Sequence, residues 1–243
     1  MVRNRIIPCL LIQNENLVKT TRFKNPRYIG DIINTVRIFN ELEVDELILL
    51  DIIATTSSLK PNFELLEDLA NECFMPLAYG GGINNVKDAK RIIELGFEKI
   101  VVNSSNFIDE YLISSIASEL GSQSVVGAID VKKDFFGNYK VYSESATKKH
   151  NISPSEWAIQ LVKRGVGELI VTSVDNEGTW KGMDLKLIES VANSVNVPII
   201  CHGGAGKTDD IKDLFDKGIN AVGLGNMVVY QKKDMGVLIN FPK

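Results

Sequence analysis

Short apolar runs alternate with amphipathic segments along the whole chain. Eight runs rich in Ile, Val and Leu are typical of strands buried on both faces, and they lie at residues 6–11, 47–50, 77–79, 100–102, 125–129, 169–171, 199–201 and 221–224. Between most of them apolar residues recur with helical spacing, at residues 31–42, 62–73, 85–95, 110–120, 153–164, 184–194 and 208–217. The alternation predicts parallel strands joined by right-handed helical crossovers.

The two halves of the chain repeat each other. Residues 76–82 (PLAYGGG) align without a gap with residues 198–204 (PIICHGG), at an offset of 122 residues. The same offset pairs Glu46 with Glu168 and Gly96 with Gly218. This offset is half the chain, and each half holds four strand and helix units. The period is therefore too long for a solenoid.

The repeat decides between two architectures. An open doubly wound sheet would explain the alternation, but only a closed barrel also explains the two-fold repeat, and barrels of this kind typically need about 250 residues. Since no Pro- or Ser-rich linker lies at the midpoint, we predict one (β/α)₈ barrel domain over residues 1–243. We expect the polar stretch 13–30 to be a mobile loop at the active face, and the eighth helix to be short.

Composition excludes several classes of partner. The net charge of −4 leaves no diffuse basic surface for nucleic acid. No apolar run approaches the roughly 18 residues of a membrane span, and the N-terminus lacks the apolar core of a signal peptide. The odd set of Cys9, Cys73 and Cys201 contains no metal-spaced pair. We therefore expect a reducing cytoplasm, no membrane contact, and neither metal nor cofactor.

Glycine turns follow strands in both halves, where such barrels bind ligands. Glycine lets backbone N–H groups approach an anion, and the next helix N-terminus adds a favourable dipole. The candidate positions are Gly203, Gly204, Gly225 and Asn226 in one half and Gly81, Gly82, Asn103 and Ser104 in the other. They predict two anion sites for a ligand with a phosphate at each end. Tight turns without a ligand are the alternative.

Acidic residues end several of the predicted strands. Asp130 closes the run VVGAI, where a carboxylate is costly unless it is bonded or used, so acid/base catalysis and a structural role are both open. The matched position in the other half is Leu11, so one member of an expected acid/base pair is absent. Asp51 after the second strand, and Asp175 and Glu177 after the sixth, are further acidic candidates.

The remaining candidates are basic or sulfur-containing. His202 precedes a glycine turn, where its imidazole could bond phosphate or replace the second carboxylate, unless it only bonds the backbone at a strand end. Lys19 is either a mobile cation over the barrel mouth or an ordinary surface lysine. We expect His150 to be solvated in a polar loop, and Cys9 and Cys201 to be inert packing.

Taken together, these residues resemble the cyclase subunit HisF of imidazole glycerol phosphate synthase over nearly the whole chain. The resemblance rests on RIIPCL at 5–10, VK at 18–19, DEL at 45–47, LDI at 50–52, GGGI at 80–83, GSQ at 121–123, AID at 128–130, KRG at 163–165, TSVD at 172–175, GT at 178–179 and GGAG at 203–206. It implies a barrel that binds a ribulosyl aminoimidazole carboxamide bisphosphate. It also implies ammonia, made from glutamine by a separate glutaminase subunit, HisH, and delivered through the barrel core.

The resemblance implies roles position by position. Asp130 matches the family's catalytic aspartate of the fifth strand. The glycine turns match its substrate-binding turns, and Lys19, Asp51 and Thr172 stand in matched motifs and are expected to contact substrate. The ring of alternating charges that admits ammonia matches Arg5, Glu46, Lys99 and Glu168. Each abuts a strand start, and opposite charges can satisfy each other there, with ordinary surface salt bridges as the alternative.

Three departures from the family pattern bear on function. Leu11 stands for the family's second catalytic aspartate and cannot carry a proton, while His202 replaces a small polar residue and Glu177 an aspartate. This pattern resembles HisF-like paralogues of bacterial surface-sugar pathways, for lipopolysaccharide or flagellin glycans. In those pathways a HisH-like glutaminase and a sugar amidotransferase install an acetamidino group.

Three functional hypotheses follow. The first is an enzyme subunit, paired with a HisH-like glutaminase, that uses ammonia on a phosphorylated small molecule. The second is a noncatalytic adaptor that activates a glutaminase and passes ammonia onward. The third is a related sugar isomerase that acts alone, which the charge ring disfavours.

Overall fold

The computed structural model describes residues 3–242. Twelve strands form one sheet: β1 (Arg5–Gln13), β2 (Asn16–Thr21), β3 (Lys24–Asp31), β4 (Leu47–Asp51), β5 (Leu77–Gly80), β6 (Lys99–Val102), β7 (Val125–Lys133), β8 (Tyr139–Ser143), β9 (Lys148–Lys149), β10 (Glu168–Ser173), β11 (Ile199–His202) and β12 (Ala221–Leu224). Residues 3–242 also contain the helices α1 (Ile32–Glu41), α2 (Phe63–Glu72), α3 (Val86–Glu94), α4 (Leu112–Leu120), α5 (Pro154–Lys163), α6 (Leu185–Ala192) and α7 (Thr208–Asp216). Within residues 3–242 no helix is long and apolar enough to cross a membrane.

Eight of the strands are parallel and close into a barrel in the order β1, β4, β5, β6, β7, β10, β11, β12. The last strand pairs with the first, from Arg5 opposite Ala221 to Pro8 opposite Leu224. The prediction of a (β/α)₈ barrel is confirmed. The repeat is visible in the element bounds, because β5 and β11, β6 and β12, and α3 and α7 each lie 122 residues apart.

Side-chain caps explain where most of the helices begin. A side-chain oxygen accepts a hydrogen bond from the backbone N–H three residues later at Asp31, Asn62, Asn85, Ser153 and Asp184. Helices α3, α5 and α7 are followed by Gly96, Gly165 and Gly218, which have positive φ angles of 111°, 105° and 80°. These caps fix where each helix meets the barrel.

The stretch 13–30 is not a mobile loop, and that prediction is wrong. Strand β1 turns through Asn14 and Glu15 and returns as the antiparallel strand β2, and a second turn through Arg22 and Phe23 leads into β3. All four turn residues have φ between 48° and 63°. Two successive left-handed residues match the twist of a hairpin, but neither turn contains the glycine that usually marks one.

A second hairpin grows from the other half of the barrel. Strand β7 runs on to Lys133 and pairs antiparallel with β8, which pairs with β9. The apolar runs did not predict β8 or β9. After β12 the described chain makes a short 3₁₀ turn, Asn226–Val228, and then a tail in which Tyr230 pairs with Val237. No eighth α-helix follows β12 up to residue 242, in line with the expected shortening.

Two apolar cores hold the barrel together. One lies between the strands and the surrounding helices, and the other fills the barrel interior. The interior core is made of small and branched side chains, namely Ile7, Cys9, Ile48, Ala78, Val101, Val126, Ala128, Ile170, Ile200 and Ala221. Charged and polar groups are therefore confined to the two ends of the barrel.

Candidate active site and the charged ring

A cavity of about 300 Å³ opens at the C-terminal ends of the barrel strands. Polar groups from both halves line its wall, and Leu11 lies among them. The predicted residues that it brings together are Asp51, Gly81, Gly82, Asn103, Ser104, Asp130, Thr172, Glu177 and His202. The strand ends thus gather most of the sequence-predicted site in one place.

Asp130 is the buried acid of this cavity. The amide Nδ2 of Asn103 donates a hydrogen bond of 2.7 Å to Oδ2 of Asp130. Burial raises the pKa of Asp130 to about 7, although the hydrogen bond from Asn103 favours the ionised form. Both protonation states are therefore populated near neutral pH, which suits a group that takes up and returns a proton.

Leu11 occupies the position that mirrors Asp130 in the other half. Strand register places Asp130 opposite Thr172 and Leu11 opposite Leu50. Since Leu50 and Thr172 are related by the 122-residue repeat, Leu11 is the structural counterpart of Asp130. Its buried side chain lines the same cavity and makes that wall apolar.

His202 is a buried, neutral imidazole two strands away from Asp130, in the wall of the same cavity. Its Nδ1 lies 3.3 Å from the hydroxyl of Thr172, which stands opposite Asp130 in the sheet. Burial, with a smaller effect from the charge of Lys19, lowers the pKa of His202 to about 3. At physiological pH the ring can donate from one nitrogen and accept at the other. Its bonded partner is a side chain, contrary to the strand-end alternative of a backbone partner.

Lys19 is neither a mobile cation nor a surface lysine, so both readings of this residue are wrong. It lies on β2, is 3% exposed, and its Nζ donates a hydrogen bond of 2.5 Å to the carbonyl oxygen of Cys9. Burial lowers the pKa of Lys19 to about 8. A Cβ placed on Gly225 would lie 3.5 Å from Nζ, so the ammonium group packs against the turn after β12.

The glycine pairs have a structural reason that needs no ligand. A Cβ on Gly81 would lie 2.7 Å from Cβ of Asp51, and one on Gly203 would lie 2.6 Å from the carbonyl oxygen of Ser173. The first pair lines the cavity with Asn103 and Ser104, but the second group does not, namely Gly203, Gly204, Gly225 and Asn226. Phosphate binding therefore stays a prediction at both turns.

The other acidic candidates hold loops in place. Asp51 accepts hydrogen bonds of 3.0 Å from the backbone N–H groups of residues 53 and 54. Asp175 accepts one of 2.8 Å from the backbone N–H of Lys133. Glu177 accepts from the hydroxyl of Thr20 at 2.9 Å and from a backbone N–H at 3.0 Å, which ties the β2–β3 hairpin to the loop after β10. Across residues 3–242, no three His, Cys, Asp or Glu side chains are grouped to hold a metal ion.

The four predicted gate residues form a closed ring of ion pairs at the opposite end of the barrel. Arg5 contacts Glu46 at 2.7 Å, and Lys99 contacts Glu46 and Glu168 at 2.8 Å each. The pair of Arg5 and Glu168 closes the ring. Both carboxylates are buried and both bases are largely covered, so these are not ordinary surface salt bridges.

One apolar layer separates this ring from the cavity. Side chains alternate between the faces of a strand, so the residues two positions after the ring also point inward, namely Ile7, Ile48, Val101 and Ile170. Two positions further, Asn103 and Thr172 belong to the cavity wall. From ring to polar wall is four residues, or roughly 13 Å along a strand.

Comparison with known proteins identifies the family. A family model described as histidine biosynthesis protein matches residues 5–234. The chain belongs to this family. A Pseudomonas aeruginosa protein with the provisional name imidazole glycerol phosphate synthase subunit hisF2 is 49% identical over the whole chain and 97% of its own length. A Leptospira interrogans protein, provisionally named as the HisF subunit of that synthase, is 46% identical over the whole chain and 96% of its length.

A third relative carries the same subunit name without qualification. The imidazole glycerol phosphate synthase subunit HisF of Leuconostoc mesenteroides is 42% identical over 88% of this chain and 84% of its own length. The resemblance predicted from short motifs is therefore confirmed at the level of the family. The comparisons leave the role of each site residue as a prediction.

Sequence reasoning missed the cavity residues that the two hairpins supply. Thr20, Phe23 and Pro26 reach the cavity from the β2–β3 hairpin, and Ser145 reaches it from the connection between β8 and β9. These positions depend on antiparallel pairing that the apolar runs did not reveal. His150 was also misjudged, because its ring stacks 3.7 Å from that of Phe107.

Proposed function

We propose that this chain is a HisF-type synthase subunit that accepts ammonia from a HisH-like glutaminase and uses it on a phosphorylated small molecule. The observation that carries the proposal is the closed charge ring of Arg5, Glu46, Lys99 and Glu168, one apolar layer beneath a cavity that holds a buried acid. We place this single barrel domain in the cytoplasm because its three cysteines are unpaired.

The apolar layer favours ammonia over ions. Ammonia is small and neutral, whereas ammonium would lose its hydration among Ile7, Ile48, Val101 and Ile170 at a large energetic cost. The ring faces the end of the barrel where a glutaminase would dock. A related isomerase that acts alone would have no use for such a ring, so the ring argues against that hypothesis.

The cavity supplies groups for proton transfer and binding. Asp130 would exchange protons with the substrate, and Asn103 would hold the carboxylate of Asp130 in place. Neutral His202 would supply a second hydrogen-bond donor or acceptor for the substrate. The Gly81–Gly82 turn with Ser104 is the better placed of the two predicted phosphate sites, because it lines the cavity. Lys19 and the turn after β12 would form the second phosphate site once a movement of the β2–β3 hairpin exposes them to the cavity.

Leu11 directs the choice of product. With leucine and not a carboxylate at the position that mirrors Asp130 in the other half, the cyclisation that forms imidazole glycerol phosphate lacks one proton carrier. We therefore propose a paralogue that serves acetamidino modification of surface sugars, with a sugar amidotransferase as a further partner.

Complementation tests the product assignment. In a strain that lacks its own cyclase, the wild-type chain is expected not to support growth without histidine. Growth would overturn the sugar assignment. The Leu11→Asp variant restores the missing carboxylate, and we expect it to form imidazole glycerol phosphate at least tenfold faster than the wild type in a purified assay with ammonium salt.

The noncatalytic adaptor is the second candidate function, because Leu11 stands where a catalytic carboxylate is expected. An isosteric substitution at Asp130 distinguishes this adaptor from an enzyme. Asp130→Asn removes the proton carrier and keeps the shape of the site, so we expect ammonia-dependent product formation to fall by about 100-fold or more. Glutaminase binding and activation, measured on the same samples, should stay unchanged. Full pathway output from the variant would instead establish the adaptor.

A further inference from the structure

Two phenylalanines project from the tip of the β7–β8 connection. Phe135 is 98% and Phe136 is 85% exposed, and their ring centroids lie 5.6 Å apart. Hydrogen bonds hold the turn that carries them: Oδ1 of Asp134 accepts from the backbone N–H groups of Phe136 at 3.0 Å and Asn138 at 2.9 Å. Exposed aromatic pairs of this kind mark interaction sites.

Further exposed apolar side chains lie on the same face. They come from strand β3 and from the connections that follow β4 and β6, namely Tyr28, Leu59, Ile108 and Tyr111. The connections after β10 and β11 add no exposed large apolar side chain within residues 3–242. Together with Phe135 and Phe136 these four side chains form a half-ring along one side of the cavity mouth, which we call the apolar rim.

The same face carries positive charge in an acidic protein. In residues 131–149, five lysines stand against two acidic residues, although the whole chain has a net charge of −4. The β2–β3 hairpin adds exposed Arg22, Lys24 and Arg27, and none of these three has a carboxylate partner in the described part of the chain. The apolar rim is therefore flanked by a basic surface.

The hairpin with the two phenylalanines is also joined to the cavity itself. Ser145, in the connection between β8 and β9, lines the cavity and donates a hydrogen bond of 3.1 Å to the carbonyl oxygen of Ile52. The backbone N–H of Glu144 donates one of 2.9 Å to Oγ of Ser104. A partner seated on this hairpin would border the opening directly.

Charge and shape narrow the choice of occupant. A second copy of this chain would bring two basic mouths together. A small phosphorylated ligand could enter the cavity without touching Phe135. Anionic lipid would find few free lysines at the tip, since Lys133, Lys148 and Lys149 are paired with Asp184, Glu144 and Asp134. Unpaired arginines beside spread aromatic side chains are typical of protein interfaces.

We propose that the apolar rim and its basic flanks dock a second protein, with an acidic face around an apolar socket, over the cavity mouth. This partner rests on the proposed function as the enzyme that takes the product or the ammonia leaving the barrel. The surface lies at the opposite end from the charged ring, so this partner and the glutaminase bind at the same time.

Site-specific crosslinking tests the surface in the full chain. A photo-crosslinking residue replaces Phe136, or, as a control, Phe74, which is 90% exposed after α2 towards the other end of the barrel. Both chains are produced with the glutaminase in cells of the source organism. We expect position 136 to crosslink one protein that is not the glutaminase, and position 74 not to crosslink it.

Binding of that protein, purified, then decides the matter. Phe135→Ser with Phe136→Ser should weaken its affinity at least tenfold, and Lys24→Glu with Arg27→Glu should weaken it and flatten its salt dependence. Phe74→Ser should leave it within twofold. Equal binding by the Phe135→Ser, Phe136→Ser chain would overturn the proposal. The proposal would also be overturned if position 136 crosslinked only to lipid, and if the wild-type chain bound phosphatidylserine vesicles while the rim variants did not.

The glutaminase assay separates this inference from the proposed function. If the wild-type chain never activates a glutaminase, the proposed function and the role assigned to the partner both fall. If it does so and the rim variants bind the crosslinked protein like the wild type, only the docking surface falls.

Discussion

Asp130 shows how one residue links the stability of the fold to the chemistry of the site. Its carboxyl group is buried within β7, at the point where the strand leaves the barrel to pair with β8, with a side-chain donor in Asn103. Its counterpart Leu11 is also buried, but its side chain is apolar and needs no hydrogen-bond partner. Burial favours the protonated form of the Asp130 carboxyl and outweighs the opposing hydrogen bond from Asn103, so this position titrates with pH whereas Leu11 does not.

Stability near neutral pH should reflect this burial. Burial raises the pKa of Asp130 from 3.8 to about 7. Between these values the folded state binds more protons than the unfolded state, so the free energy of unfolding falls as pH rises from 4 to 7. We expect Asp130→Asn to be more stable than the wild type by about 2 kcal/mol at pH 8. Urea unfolding at pH 4, where the two should agree, is the internal control.

Lys19 and His202 mark the limit of residue-scale prediction. A lysine in a polar stretch reads as a surface residue, but the carbonyl oxygen of Cys9 accepts its hydrogen bond inside the protein. The histidine was singled out from its place before a glycine turn, yet its bonded partner, Thr172, lies on a neighbouring strand. Such partners depend on strand register, which single residues do not reveal.

At the scale of the element, the helices differ in whether the left-handed residue that follows them is a glycine. Helices α3, α5 and α7 are followed by glycines in the left-handed region, whereas the residue at the equivalent place after α1 is Glu43, with φ of 54°. Its backbone N–H still bonds to the carbonyl oxygen of Asn40 at 3.0 Å. A side chain at such a position adds strain that glycine avoids.

A matched pair of substitutions tests this difference. Glu43→Gly should raise the free energy of unfolding by about 0.5–1 kcal/mol, because it relieves the left-handed conformation. Gly218→Ala should lower it by about 1 kcal/mol, since a Cβ there meets nothing within 4 Å and the cost is backbone strain alone. Thermal and urea denaturation measure both. A destabilised Glu43→Gly chain would contradict this account.

The elements that sequence predicted share a simple cause, and so do those it missed. Barrel strands are buried on both faces and helices carry one apolar stripe, so their patterns are strong. The hairpins lack such a pattern because most of β3 is exposed and the turns at Asn14, Glu15, Arg22 and Phe23 contain no glycine. The cavity residues supplied by the hairpins were missed for the same reason.

At the scale of the whole molecule, the ring of four charges connects strands that are far apart in sequence. Each member bonds to two others, so removing one leaves the rest unbalanced in a largely buried place. Strand-start positions could be read from the sequence, and the repeat related the two glutamates. The closure of the ring required the barrel itself.

Replacing one base should therefore have two effects. Lys99→Met leaves Glu46 and Glu168 with Arg5 alone, and we expect a loss of about 2 kcal/mol of stability, discounted because Lys99 is partly exposed. Under the proposed function, product formation driven by glutamine should also fall more than that driven by ammonium salt. Lys90→Met is the control, since its pair with Glu119 is exposed to solvent and should add no measurable stability.

The seam between β1 and β12 also governs how the protein can be made. One edge of β1 pairs with β4 from Cys9 onward, and β2 covers residues 11–13, but the first part of the strand, residues 5–8, finds its partners on the other edge only in residues 220–224. A growing chain on the ribosome therefore carries an unpaired strand edge for almost its entire synthesis, and such edges invite pairing with other chains. Nascent chains that stop before Ala221 should aggregate or bind chaperones instead of forming a smaller barrel.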